Sequence, residues 1–299
     1  MSDRRPPAAP ERLDVRKTYK LYIGGAFPRS ESARSYEVTG AKGEFLANAA
    51  LASRKDARDA VVAARAAFPK WSSATAYNRG QVVYRVAELL EGRRAQFVDE
   101  VAAAEGLTAR KASMLVDATV DRLVWYAGWA DKIAQVLGGS NAVSGPFFNF
   151  SLPEPTGVVA ILAPQQSSLL GLVSCVAPVI ATGNTCVVLA SEAMPLPAVT
   201  LTEVLATSDV PGGVVNLLTG RVSEVAPHLA SHMDVNAIDL TGAGPLAADL
   251  EVSAADNVKR VLRPRVDGDG REVDWHPEPD LTRLRAFVET KTVWHPIGV

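Results

Sequence analysis

Apolar residues recur along this chain in two successive rhythms. Up to Leu137 the spacing is mostly helical. Ser53 stands as an N-cap before Ala57, Val61, Ala64 and Phe68, which fall on one helix face. Val82, Val83, Val86, Leu89 and Leu90 make the apolar stripe of a second helix, with Arg79, Arg85, Glu88 and Arg93 mostly off it. The spacing predicts two more helices over Ala95–Glu105 and Ala109–Leu137, the last closed by Gly138-Gly139. Ahead of these, Lys20–Ile23 running into Gly24-Gly25 reads as a strand entering a turn. After them the period becomes two: Phe148, Phe150 and Leu152 alternate with Asn149 and Ser151, as in a half-buried strand.

From Gly157 the second rhythm takes over. Val158–Ala163, Thr185–Ala190, Val214–Leu218, Ala237–Leu240 and Val258–Leu262 are short β-rich runs. Helical stretches near Leu169–Ala181, Pro197–Ala206, Val222–Ala230 and Leu246–Ala254 separate them. Strand and helix alternating at this length predict an α/β fold with a parallel sheet covered on both faces. Right-handed crossovers make it doubly wound, with a crevice at the carboxyl ends of the strands. Arg263–Leu281, rich in Pro, Gly, Asp and Arg, breaks the pattern, and 263–283 is expected to be a linker. Phe287–Trp294 is β-branched and aromatic but has no hairpin neighbour, so as a strand it must pair with a distant edge or with another subunit.

Composition narrows the classes. Hydrophobic residues make up 47% and charged residues 21%, ordinary for a globular chain able to bury a large core. A net charge of −2 offers nothing to nucleic acid or an anionic membrane. No apolar run is long enough to span a bilayer, and MSDRRPPAAPERLDVRK lacks the apolar region of a secretory signal; residues 1–19 are expected to form a mobile tail. The two cysteines, Cys175 and Cys186, are too few for a disulfide framework, so a cytoplasmic protein is expected.

The blocks EPTGVVAILAPQQSSLLGLVSCVAPVIATGNT, CVVLASEAMPLPAV and VPGGVVNLLTG, in that order and spacing, resemble the coenzyme-binding half of the aldehyde dehydrogenase superfamily. YKLYIGGAF is similar to the family's opening strand, FPKWSSATAYNRGQVVYRVAELLEGRR to its early helix pair, and WYAGWADKI to the helix leading into its oligomerisation flap. The resemblance implies a Rossmann-like coenzyme-binding domain over 20–262, an oligomerisation flap over 140–156, and a C-terminal strand over 284–299. It also implies a second domain bearing a cysteine nucleophile after Leu262. Instead the chain passes through the linker to RLRAFVETKTVWHPIGV, which looks like the family's last strand. The chain thus reads as a shortened member without the cysteine-bearing domain.

Departures continue inside the retained half. The family's Pro-Trp-Asn-Phe-Pro motif aligns with Pro164, Gln165, Gln166, Ser167 and Ser168, which puts Gln166 at the oxyanion-donor position with one methylene too many. Losing such a donor costs about 10²–10³ in rate; the plainer reading is a polar loop. Lys-Pro-Ser-Glu aligns with Leu189-Ala190-Ser191-Glu192, so the resemblance implies that Glu192 keeps half of the ribose clamp while Leu189 has lost the ammonium. Phe-Thr-Gly-Ser aligns with Leu240-Thr241-Gly242-Ala243, and Ala243 lacks the hydroxyl. Pro164, Glu192, Gly213 and Gly242 are the positions implied to touch coenzyme. The run Gly242-Ala243-Gly244-Pro245-Leu246-Ala247 matches a glycine-rich fingerprint only formally, because it follows a late strand without the acidic residue about 20 positions on. Pro264 stands where the general base should be, and no metal site is expected, since His228 and His232 at i, i+4 lack a third ligand.

These readings converge on an expectation: no catalytic residues of its own, weakened NAD binding, and assembly through flap and terminal strand with a full-length aldehyde dehydrogenase or with itself. A divergent NAD-linked oxidoreductase acting on aldehydes, and a nucleotide-binding module without chemistry, are the alternatives.

Overall fold

The computed structural model describes residues 17–265 and 272–298. Most of the expected tail (1–16) and the middle of the expected linker (266–271) lie outside the described residues. Residues Thr18–Tyr19, at the end of the expected tail, form a strand, β1, which pairs in parallel with β3 (Phe45–Ala50); β2 (Ser35–Thr39) covers the other edge of β3. The expected strand Lys20–Ile23 makes only isolated bridges, Tyr22 to Leu217 and Ile23 to Ala26.

The helical layer is α1 (Arg54–Ser72), α2 (Ala76–Gly92), α3 (Arg94–Glu105) and α4 (Ala109–Trp129), with a short α5 (Ile133–Leu137). Ser53 starts α1 through a reciprocal box: its Oγ accepts from the Asp56 N–H at 3.3 Å while Asp56 Oδ2 accepts from the Ser53 N–H at 2.7 Å. The helix expected over Ala109–Leu137 is broken after Trp129. There the backbone tightens to i→i−3 bonds, Ala130 to Ala127 and Lys132 to Trp129, just after Gly128.

The rest of the chain is β4 (Gly139–Asn141), β5 (Phe147–Pro155), β6 (Val158–Leu162), α6 (Leu170–Ala181), β7 (Thr185–Leu189), α7 (Leu196–Leu205), β8 (Val215–Leu218), α8 (Val222–Ser231), β9 (Ala237–Asp239), α9 (Ala247–Ala255), β10 (Arg260–Leu262), α10 (Thr282–Ala286) and β11 (Val288–Pro296). Five strands form one parallel sheet in the order β10-β9-β6-β7-β8. Every residue of β6 and β7 is buried, because helices cover both faces. Val159 and Ile161 face the larger core with α4 and α6, and Val158, Ala160 and Leu162 face the core with α1 and α8. The chain leaves β6 for β7 on one side and returns to β9 on the other. The crevice of a doubly wound sheet therefore falls between the ends of β6 and β9.

The terminal strand finds its partner within the same chain. β11 runs antiparallel to β5, from Val288 opposite Pro155 to Pro296 opposite Phe147, with β4 on the far edge of β5. The 263–283 segment departs from the expected linker: its described second half is docked. Trp275 and Leu281 pack against the main core, and Arg283, Leu284 and Phe287 are buried. A few widely spaced large residues anchor an otherwise polar stretch, so no periodicity betrays it.

Candidate coenzyme crevice

The loop leaving β6 is held from several directions. Gln165 donates through Nε2 to the Ala163 carbonyl at 2.8 Å and accepts through Oε1 from the Glu192 N–H at 3.0 Å. Its own carbonyl accepts from Ser191 Oγ at 3.2 Å. Pro164 packs on the first turn of α6, where a Cβ at Gly171 would lie 2.9 Å from Pro164 Cγ. Opposite, the Gly242 N–H donates to the Leu162 carbonyl at 2.9 Å, and a Cβ at Gly242 would meet the Ala163 carbonyl oxygen at 1.8 Å. Glycine is required there because the β9 exit presses directly on β6. The Gln165 amide stands 3.0 Å from that same position.

The family's coenzyme positions therefore have local partners. Glu192 follows β7, and its carboxylate accepts the Val222 N–H at the start of α8 and pairs with Arg221 at 3.4 Å. A carboxylate at a helix N-terminus is well placed electrostatically. Leu189 is fully buried and Ala243 nearly so. Gly213 precedes β8 at the amino end of the sheet, against Ala63 and Ala67 of α1, away from Pro164, Glu192 and Gly242. An adenosine ribose at Glu192 would share its carboxylate with Arg221 and the Val222 N–H. Of the family's ribose clamp the Glu192 carboxylate is present, and the ammonium is replaced by the buried Leu189.

Gln166, at the oxyanion-donor position, is exposed, and its backbone N–H donates to Glu272 Oε2 at 3.1 Å. The neighbouring Gln165 N–H donates to Glu272 Oε1 at 2.5 Å. Glu272 begins a strap, residues 272–287, laid across the strand ends. Arg122 of α4 donates to the Trp275 and Pro277 carbonyls at 2.8 and 2.9 Å and to Ser174 Oγ at 2.5 Å. Arg283 pairs with Asp239 Oδ2 at 2.5 Å, donates to Thr241 Oγ1 at 2.8 Å, and lies 5.0 Å from the Trp275 ring centre. Burial disfavours the charged guanidinium, but the Asp239 carboxylate outweighs it and holds Arg283 above its ordinary range. Between strap and helices lies a cavity of about 530 Å³, lined by Leu107, Lys111, Met114, Gln166, Glu272 and Trp275 among others. Glu272, Arg122, Asp239 and Arg283 were invisible to motif alignment, because they act through tertiary contacts. The only sequence signal was an aromatic and a spaced Arg-Leu pair inside a polar stretch.

Neither cysteine approaches this chemistry as a thiolate. Cys175 in α6 and Cys186 in β7 are both fully buried, and burial pushes both thiols well above their usual range. A soluble thiol reagent should leave both unmodified in the native protein and react with both in denaturant. A rapidly labelled native thiol would contradict the buried placement. Among the described residues no group of three His, Cys, Asp or Glu side chains could hold a metal, and no helix is long and apolar enough to cross a membrane.

Comparison with known proteins agrees with this architecture. The model of the "Aldehyde dehydrogenase family" matches residues 27–263. Mouse (Mus musculus) cytosolic 10-formyltetrahydrofolate dehydrogenase is 33% identical over 264 residues, covering 85% of this chain and 29% of that protein. The cytosolic aldehyde dehydrogenase 1 of Elephantulus edwardii is 31% identical over 261 residues, covering 85% of this chain and 51% of its own length. Among solved structures, an aldehyde dehydrogenase from Bacillus cereus in complex with NAD+ superposes with a TM-score of 0.78 at 27% identity, over 82% of this chain and 50% of that one. A betaine aldehyde dehydrogenase from Staphylococcus aureus, also in complex with NAD+, gives 0.77 at 27% identity, over 81% and 49%. The chain thus spans about half the length of most of these relatives, and less of the formyltetrahydrofolate enzyme. With a family model covering most of its length and this sheet beneath it, the chain belongs to the aldehyde dehydrogenase family.

Proposed function

We propose that this chain is a catalytically incomplete family member that serves as a structural or regulatory subunit, assembling with an intact aldehyde dehydrogenase. The observation that carries this reading is the flap sheet. β11 and β5 stay paired over nine residues, and among the described residues the outer edge of β11 has no partner. Phe147, Phe148, Trp294 and Ile297 are all exposed there, with Phe147 and Trp294 edge to face at 5.6 Å. An aromatic sheet with a free edge suits an interface. The burial of Cys175 and Cys186 supports the first half of the reading, since neither is available as a nucleophile.

Weakened NAD binding is the second reading, supported by the two NAD-bound structural neighbours and by a Glu192 carboxylate already shared with Arg221 and the Val222 N–H. For assembly, the chain co-expressed with an intact homologue from the same cell should elute with it as one species by light scattering. Thr292→Pro, which disrupts β11, should cut that co-elution about tenfold or more. A protein that remains a monomer, or only self-associates beside the homologue, would refute the hetero-assembly.

A further inference from the structure

Two consecutive backbone N–H groups, those of Gln165 and Gln166, converge at the carboxyl end of β6 on one carboxylate, that of Glu272. Successive main-chain N–H groups aimed at a single negative group form a general receptor for phosphate or carboxylate, and bonds to a charged acceptor are the strong ones. The receptor is built before any anion arrives. Gln165 is fixed by Ala163, Ser191 and the Glu192 N–H, and Ser168 by Glu105, which accepts both its N–H and its hydroxyl at 2.7 Å.

Glu272 is half-buried. Among the described residues the other anchors of the strap lie further along: Arg122 on the Trp275 and Pro277 carbonyls, Arg283 on Asp239, and the buried Leu284 and Phe287. Glu272 can therefore leave while the rest of the strap stays docked. The 530 Å³ cavity borders both Gln166 and Glu272, and Lys111 adds a cation to its wall.

We propose that the Gln165–Gln166 N–H pair is an anion site for a phosphate group, and that Glu272 is its tethered internal occupant. A tethered carboxylate competes at an effective concentration on the order of millimolar. An external anion meets only the fraction of molecules in which Glu272 has swung away, and its apparent affinity falls by that fraction. This inference concerns access to the crevice and stands whether or not the chain assembles with a partner.

The test is calorimetric titration of wild type, Glu272→Ala, Glu272→Gln and Asp274→Asn with inorganic pyrophosphate, and separately with NAD. Pyrophosphate should bind Glu272→Ala about tenfold or more tighter than wild type. Glu272→Gln, which can still cap one N–H but carries no charge, should fall between. Asp274→Asn removes an equal charge nearby without touching the N–H pair and should match wild type. A gain for NAD as well would identify a dinucleotide as the source of the phosphate, and a gain for pyrophosphate alone a smaller phosphorylated ligand. No gain in either folded Glu272 variant would overturn the proposal, as would an equal gain in Asp274→Asn. Should the Ala variant fail to fold, the Gln variant decides.

Discussion

Arg283→Ala should destabilise the protein by about 3 kcal/mol, toward the lower end of what removing one partner of a buried ion pair costs. Asp239 is fully buried at the end of β9, and Arg283 is its only cationic partner among the described residues, at 2.5 Å. Truncation leaves a carboxylate in the core with half of its bonding gone. The loss is kept from the top of the range because Asp239 Oδ1 still accepts from the Thr241 N–H at 3.0 Å and its hydroxyl at 2.5 Å. The Trp275 ring would also lose the guanidinium beside it. Replacing both partners, as Asp239→Leu with Arg283→Met, should recover most of the stability, since a buried pair exchanged for apolar groups is often neutral or better. Urea unfolding of the two single variants and the double variant measures this directly. A loss under about 1 kcal/mol for Arg283→Ala would mean that water reaches Asp239 once the strap loosens.

Phe287→Ala is the second large effect, about 3–5 kcal/mol for a phenyl ring removed from a closed site. Phe287 is 1% exposed and packs in the main core, while its carbonyl accepts the Thr156 N–H at 3.2 Å and Asn184 Nδ2 at 2.9 Å. It therefore joins sheet, flap and terminal strand at one point. Amide exchange should show the N–H groups of β11 losing more protection than those of β7. Trp294→Ala, by contrast, truncates a ring that is 58% exposed, and should move stability by no more than about 0.5 kcal/mol. Equal losses for the two variants would show that β11 is held by its own aromatic face and not by the Phe287 anchor.

The central sheet was legible because β6 and β7 are covered on both faces and so read as unbroken apolar runs. The β2–β3 hairpin was not, since FLANAA buries small residues that carry little hydrophobic signal. Nor was the break between α4 and α5, where the backbone tightens just after a single glycine, Gly128, that the apolar spacing runs through. At the crevice, alignment found the positions but not their partners. Glu192 could be read as half of a ribose clamp, yet whether its carboxylate is free depends on Arg221 and Val222, which are about thirty residues away and belong to another element. Glu272 was harder still: a carboxylate in a Pro- and Asp-rich stretch has no local mark of a destination at the end of β6. Both cases turn on which groups tertiary structure brings to a side chain, and sequence spacing carries no record of that.

The pairing of β11 with β5 sets an order of events during synthesis. Residues that meet as Val288 with Pro155 and Pro296 with Phe147 are 133 and 149 positions apart, so among the described residues this sheet closes the longest loop of any strand pairing within a sheet. On a ribosome, β5 emerges and waits, one long edge bare, until the parallel sheet has been made and the strap has emerged after it. The nascent chain thus carries Phe148 and Phe150 on a strand with one edge unpaired while the 133 to 149 residues that separate the paired positions are made. That interval, rather than the finished fold, is where a chaperone or a co-translated partner would have its opportunity.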